Sequence, residues 1–142
     1  MLISQVIKEK GDLVFTVSPG ESLAEAAALL HQRQVGSAVV TGPDGAVVGM
    51  VSERDLVRMV ALEGAAALQR PVSDAMTREV IFAGPDETVD ALLARMTDRR
   101  VRHLPVVGEG RLLGLVSIGD LVKRKIAATE AEAEELKAYI AA

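Results

Sequence analysis

The hydrophobic pattern of this chain runs through twice. Leu23, Ala26, Ala27 and Leu30 fall at i, i+3, i+4 and i+7, and Val89, Leu92, Leu93 and Met96 repeat that spacing, the period of a helix with one buried stripe. Ser22 and Thr88 stand where the side-chain caps of these helices belong. A short β-branched or aromatic run precedes each helix, Val14 to Val17 and Val80 to Phe82, and Pro19 or Pro85 turns the chain between run and helix. After each helix come two apolar runs. Ser37 to Val40 and Val47 to Val51 flank Pro43-Asp44-Gly45, while Leu104 to Val107 and Leu112 to Val116 flank Gly108-Glu109-Gly110, which predicts a hairpin in each copy. A second helix is expected just after Ser52 and just after Ser117. The order is strand, helix, strand, strand, helix, twice, and the predicted class is α+β.

The two passages are copies of one unit. The segment from Val14 to about Val60 recurs about sixty-six residues on, from Val80 to about Ile126. Pro19 matches Pro85, Glu21-Ser22 matches Glu87-Thr88, and Val35, Val40, Gly49, Val51, Ser52, Asp55, Leu56 and Val57 match Val101, Val106, Gly114, Val116, Ser117, Asp120, Leu121 and Val122. Two copies this short are expected to share one core across a pseudo-two-fold axis, with paired clefts as the product and ligands as the reason. The expected halves are 1–71, the N-terminal segment with the first repeat and connector, and 72–142, the second repeat with a C-terminal helix. From Glu63 to Thr77 the connector is expected to extend a helix and then turn. In the tail, Thr129 and Glu132 match a capping box ahead of a stripe of Ala133, Leu136, Tyr139 and Ile140. That stripe suits either packing on its own domain or a dimer contact.

Composition narrows the function. At 142 residues the chain is too short for two independent enzymes. It has no cysteine, which excludes a disulfide scaffold, thiolate catalysis and cysteine-ligated metals and suits a reducing cytoplasm. No apolar run reaches the roughly 20 residues of a membrane helix, and residues 1–11 do not resemble a secretory signal. We expect a soluble, cytoplasmic protein. The formal charge of −4 with interspersed signs, and aromatic rings only at Phe15, Phe82 and Tyr139, argue against nucleic acid as a partner.

The candidate chemistry lies at two equivalent strand ends, Gly49-Met50-Val51-Ser52-Glu53-Arg54-Asp55 and Gly114-Leu115-Val116-Ser117-Ile118-Gly119-Asp120. Each places a hydroxyl and a carboxylate at a helix start, where free N–H groups and the helix dipole favour a phosphate. The carboxylate can accept hydrogen bonds from two vicinal hydroxyls of a ribose. The same pattern matches a capping box, in which the two side chains satisfy orphan backbone donors instead. Aspartate is shorter than the usual third-position glutamate, and the pattern occurs at both strand ends, so ligand binding is the favoured reading. The other wall of a pocket would come from the first hairpin strands, where Gly36-Ser37-Ala38-Val39 corresponds to Arg102-His103-Leu104-Pro105. Pro105 predicts an edge strand or a ladder break that exposes backbone groups. Arg99, Arg100 and Arg102 crowd this stretch, and a solvated helix end accounts for the first two. His31 and His103 are the only histidines, and with no local metal triad or nucleophile elbow an enzyme is the weakest of three readings. The others are a nucleotide sensor and a ligand-free docking module.

With its duplicated order, the V-x-x-x-x-P before each first helix (Val14 to Pro19 and Val80 to Pro85), Leu104-Pro105-Val106 and the paired Gly-x-Val-Ser-x-x-Asp, the chain resembles a tandem pair of cystathionine β-synthase (CBS) domains, the Bateman module, over about residues 12 to 126. Its terminal segments resemble those of small bacterial CBS-pair proteins. The resemblance implies two β-α-β-β-α repeats framed by short terminal helices. It implies a non-catalytic regulatory module that binds adenosine-containing ligands (AMP foremost, or ATP, ADP, NAD or S-adenosylmethionine) between the repeats, often as a homodimer forming a disc of four repeats, and acting on a protein partner. By the same resemblance, Asp55 and Asp120 would hold ribose, Ser52 and Ser117 would contact phosphate, and Thr16, Ser37, Ala38, His103 and Leu104 would line base sites beside Pro105. Arg54 and Arg102 would be phosphate partners. Two departures break the symmetry. Thr16 is matched by Phe82, a ring that either stacks on adenine or enters the core, and Arg54 is matched by Gly119, so unequal affinities are expected.

Overall fold

The computed structural model describes residues 1–11 and 14–141. The elements run α1 (Ile3–Lys10), β1 (Thr16–Val17), α2 (Leu23–Arg33), β2 (Ser37–Thr41), β3 (Val47–Ser52), α3 (Glu53–Glu63), α4 (Val89–Arg99), β4 (His103–Gly108), β5 (Arg111–Ser117) and α5 (Ile118–Ala141). The class is α+β, as expected. Among the described residues no helix is long and apolar enough to cross a membrane.

In the first repeat β1 pairs parallel with β2, and β2 pairs antiparallel with β3. Alternation then divides the sheet. Val17, Ala38, Val40 and Val51 point into a core with Leu23, Ala26 and Leu30 of α2 and Met59 of α3. Thr16, Ser37, Val39, Met50 and Ser52 occupy the other face, because Thr16 is level with Val39 and Ser37 with Ser52. The caps form where the sequence placed them. Ser22 Oγ accepts from the Glu25 N–H at 3.1 Å and Thr88 Oγ1 from the Ala91 N–H at 3.1 Å. The second repeat buries the equivalent positions, Ala83, Val89, Leu92, Met96, Leu104, Val106 and Val116.

Where the second repeat should open with a strand over Val80 to Phe82 there is none. A single parallel bridge, Ala83 to Val106, takes its place, with the Ala83 N–H donating to Pro105 O and the Val107 N–H donating to Ala83 O, both at 2.9 Å. Pro105 is the reason. It has no N–H to extend that pairing by another residue, so the ladder break expected of Pro105 is realised. The sheets therefore have three strands in the first repeat and two in the second.

By contacts the chain divides into two compact units, one of Met1–Asp12, Phe82–Gly108 and Leu113–Ala142, the other of Leu13–Ile81 and Glu109–Leu112. A cut after residue 71 does not reproduce them, because the segment preceding each repeat is built into the other one. The Ile3 N–H donates to Glu87 O, Ser4 N–H to Pro85 O and Val89 N–H to Met1 O; the Val72 N–H donates to Glu21 O, Ser73 N–H to Pro19 O and Leu23 N–H to Arg70 O. The two sets are bond-for-bond equivalents. Ile3 and Val6 are buried in one unit as Val72 and Ala75 are in the other. The connector is not a helix extension throughout. Gly64, with φ +71°, ends α3, and 3₁₀ turns at Gly64–Gln69 and Val72–Asp74 follow.

The tail also differs from expectation. α5 is one continuous helix, and Thr129 lies inside it, its hydroxyl donating back to Lys125 O at 3.0 Å, so it caps nothing. Leu136, Tyr139 and Ile140 are 59%, 82% and 74% exposed, so the stripe does not pack on its own domain.

Candidate functional site

Each signature strand ends in a helix start held by the same backbone bond. The Glu53 N–H donates to Gly36 O at 3.0 Å, and the Ile118 N–H to Arg102 O at 2.8 Å. This joins the start of the first hairpin strand to the first turn of the following helix, and so groups Ser37, Ser52 and Asp55 in one unit and His103, Ser117 and Asp120 in the other. The motif glycines explain themselves by contact. A Cβ on Gly49 would lie 2.7 Å from Met76 Sδ and 2.9 Å from Thr77 O, and one on Gly114 2.5 Å from Ile7 Cδ1. The glycine is where the exchanged segment presses on the strand.

In the first repeat the capping geometry is complete. The Ser52 N–H and hydroxyl donate to Asp55 Oδ2 at 2.8 and 3.0 Å, and the Asp55 N–H donates back to Ser52 Oγ at 3.3 Å. Arg58, which the sequence reading did not single out, faces Asp55 Oδ1 at 3.1 Å and donates to Ala75 O at 3.2 Å. Asp55 is 7% exposed and both its oxygens are occupied.

The second repeat builds the same box with a different third partner. The Ser117 N–H donates to Asp120 Oδ2 at 2.9 Å and the Asp120 N–H to Ser117 Oγ at 3.1 Å. Lys10, at the end of α1 and also unforeseen, sets its Nζ 2.6 Å from Asp120 Oδ2. Oδ1 takes no hydrogen bond from the described residues. Burial pushes the Asp120 carboxyl up, but the Lys10 ammonium and the Ser117 N–H and hydroxyl together hold it below the ordinary carboxylate value. Half-buried His103 moves down as well, through burial first and the Lys10 charge second, with Asp120 opposing.

The remaining candidates sort by face. Ser37 is 5% exposed, and its Oγ has no hydrogen-bond partner among the described residues. It stands directly opposite Ser52. The flanking Glu53–Gly36 bond makes this a non-hydrogen-bonded pair, the arrangement in which facing side chains come closest. Thr16 is exposed on that same face. Ala38 and Leu104 are fully buried on the core side or its equivalent, so only their backbone is available to a ligand. Pro105 is buried. Phe82 is 42% exposed; with one bridge in place of a strand, Ala83 enters the core and the ring does not. Arg54 and Arg102 are exposed, with no side-chain partner among the described residues. His31 is exposed in the last turn of α2. No cluster of three or more His, Asp or Glu suited to a metal occurs among the described residues.

Comparison with known proteins agrees with this geometry. The family model "CBS domain" matches residues 11–62 and 72–126. The chain is similar to the CBS domain-containing protein CBSX3, mitochondrial, of Arabidopsis thaliana, 33% identical and covering 97% of this chain and 71% of that one. The crystal structure of the CBS-domain containing protein ATU1752 from Agrobacterium tumefaciens superimposes with a TM-score of 0.84, at 47% identity, covering 87% of this chain and 92% of that chain. The CBS domain pair of protein MJ0100, in complex with 5′-methylthioadenosine and S-adenosyl-L-methionine, shares the fold at a TM-score of 0.79 and 24% identity, over 91% and 98% of the two chains. With both repeats matched and both signature strand ends built alike, the chain belongs to the CBS domain family and carries two copies of the domain.

Proposed function

We propose that this protein is a non-catalytic regulatory module that binds an adenosine-containing nucleotide at its Ser/Asp helix starts, AMP foremost, with ATP, ADP, NAD and S-adenosylmethionine as the other candidates. The observation that carries this reading is the Ser37 hydroxyl, buried with no hydrogen-bond partner among the described residues, on the face that also bears Thr16 and Ser52. A buried polar group left unpaired costs about 1–3 kcal/mol, and a ligand that bonds to it removes that cost. The rest of the chemistry fits the parts of a nucleotide. Asp120 Oδ1 has acceptor capacity for a ribose hydroxyl. The starts of α3 and α5 favour phosphate, with Arg54 and Arg102 as exposed cations beside them. The CBS domain pair of protein MJ0100, which shares the fold, is in complex with 5′-methylthioadenosine and S-adenosyl-L-methionine, which supports the ligand class. The repeats differ at Thr16/Phe82 and Arg54/Gly119, so the sites are unequal. Signalling follows from whichever conformation or assembly the nucleotide binds more tightly, since equal binding shifts nothing.

The test is a thermal-shift series with AMP, ADP, ATP, NAD, S-adenosylmethionine and GMP at fixed protein concentration. A ligand at about a hundred times its dissociation constant adds about 2.7 kcal/mol per site, a shift of several degrees. A response confined to the adenosine compounds is expected. One observation favours a second reading. Asp55 is fully engaged with Ser52 and Arg58 without any ligand, as it would be in a docking or dimerisation module whose signature residues only cap helices. No shift with any compound selects that reading.

A further inference from the structure

The second half of α5 carries a feature that none of the site chemistry uses. Starting from Val122, the positions Val122, Ile126, Thr129, Ala133, Leu136 and Ile140 follow one another at alternating steps of four and three, the 3.5-residue period of a coiled-coil seam. The apolar members are bare, with Val122, Ile126, Leu136 and Ile140 exposed by 41%, 54%, 59% and 74%. Every residue in 125–141 is exposed, and a helical stretch of this length is marginal in water without a partner. The side of α5 that is buried belongs to Leu121, well around the helix from the seam, so attachment to the body leaves the seam free.

We propose that α5 pairs with α5 of a second copy of this chain as a parallel, in-register, two-stranded coiled coil. Charge decides the partner and its direction. Lys125 and Glu132 flank the seam on one side, Glu130 and Lys137 on the other. In a parallel pair each residue of the first flank meets the residue five further along on the other helix. Lys125 then meets a second copy's Glu130, and Glu132 meets its Lys137. Both contacts are of opposite sign, and symmetry makes each of them twice. An antiparallel pair with the same seam fully overlapped brings Lys123 to Lys137, Glu130 to Glu130 and Glu132 to Glu132, all like charges. Ile126 and Ile140 at one seam position with Leu136 at the other is the combination that favours two strands. Within one chain Lys125 lies 3.0 Å from Asp90 and Lys137 3.4 Å from Glu134. These are exposed pairs of the kind that contribute little and exchange readily. The inference stands apart from the nucleotide reading and does not need it.

The chain has no cysteine, so Ile140→Cys in the full chain supplies a single thiol for mild oxidation. A disulfide-linked dimer is expected. In the antiparallel pair the two positions sit at opposite ends, about 27 Å apart at 1.5 Å per residue, and no link forms. Sedimentation equilibrium gives the second readout. Glu130→Lys is expected to weaken self-association about ten-fold, and combining it with Lys125→Glu restores it. Leu136→Lys is expected to abolish the α5 contact, with the circular dichroism of the repeats as the control for folding. A monomeric parent chain, absence of the cross-link, or self-association indifferent to Leu136→Lys overturns the proposal.

Discussion

Lys10 reaches from the end of α1 to the carboxylate of Asp120, its Nζ 2.6 Å from Oδ2, and donates at the same time to the Leu115 carbonyl at 2.6 Å. Among the described residues the first repeat has no such link from the exchanged segment to its carboxylate. There Asp55 is met by Arg58, one turn along its own helix. The two carboxylates at equivalent positions are thus held in different ways, one from within α3 and one from α1. The difference has consequences for stability and for any ligand.

Replacing Lys10 by methionine keeps the stem and removes the charge. The pair is partly exposed, at 32% and 22%, so the loss is modest, about 0.5–1 kcal/mol in urea unfolding at pH 7. The Asp120 carboxyl should titrate at higher pH in the variant, because its chief stabilising partner is gone. An NMR titration that finds Asp120 unmoved would remove Lys10 from the account.

Acid should destabilise the fold in two stages. His103 is lowered by burial and by Lys10, so below its ordinary value of about 6.5 the unfolded chain binds its proton before the folded one does, and stability falls as pH falls. Glu87, held by the Arg95 guanidinium, is lowered to about 2 from 4.5, and Asp120 is lowered as well. Their contribution is present above the unfolded values and is lost as pH falls below about 4.5 toward the folded ones. Urea denaturation from pH 7.5 to 3 should show both declines. His103→Gln should flatten the upper one and leave the lower.

Most of the local structure was legible because it rests on neighbours in sequence. The periodicity around Leu23 and Val89 and the caps Ser22 and Thr88 depend on residues within one turn. The missing strand near Phe82 was foreshadowed only at Pro105, on the other side of the pairing. The exchange of segments was not legible. Ile3-Ser4-Gln5-Val6 and Val72-Ser73-Asp74-Ala75 do correspond, but they lie at a spacing that differs from that of the repeats and share little beyond two apolar positions. Lys10 was missed because its partner lies more than a hundred positions away. Thr129 misled because a hydroxyl ahead of an acidic residue also occurs inside helices, where it bonds backwards.

The two motif glycines should respond unequally to alanine. At Gly49 the new Cβ meets the Thr77 carbonyl at 2.9 Å as well as Met76, and backbone cannot step aside, so we expect a loss of about 1–3 kcal/mol. At Gly114 the first obstacle is the end of the Ile7 side chain, which can rotate away, so the loss should be smaller. Thermal unfolding of the two variants side by side checks the order. Equal losses would show that the Thr77 carbonyl is not the obstacle.

Alanine at Asp55 and at Asp120 should separate capping from binding. Each loses a box worth about 0.5–2 kcal/mol of stability. Asp120→Ala also removes the oxygen left free for ribose and should weaken nucleotide binding by about 1–3 kcal/mol, whereas Asp55→Ala, whose oxygens are already engaged, should show the larger share of its effect in unfolding. Calorimetry with AMP beside a melting curve measures both quantities. If both variants lose stability and keep full affinity, the pair are caps and nothing more.

Ser37 offers the sharpest contrast, because stability and binding should move in opposite directions. Its hydroxyl is buried and takes no hydrogen bond from the described residues, while Ser52 opposite it is committed to Asp55. Removing an unsatisfied buried hydroxyl takes away a desolvation cost, so Ser37→Ala should melt at the same temperature as the parent or higher, by the equivalent of about 1 kcal/mol or less. A nucleotide that uses the hydroxyl loses one hydrogen bond, about ten-fold in affinity for 1.4 kcal/mol. A residue whose loss leaves the free protein intact and weakens the complex is one retained for its ligand. Should the affinity of Ser37→Ala for AMP equal that of the parent, the face shared by Thr16, Ser37 and Ser52 is not where the base lies.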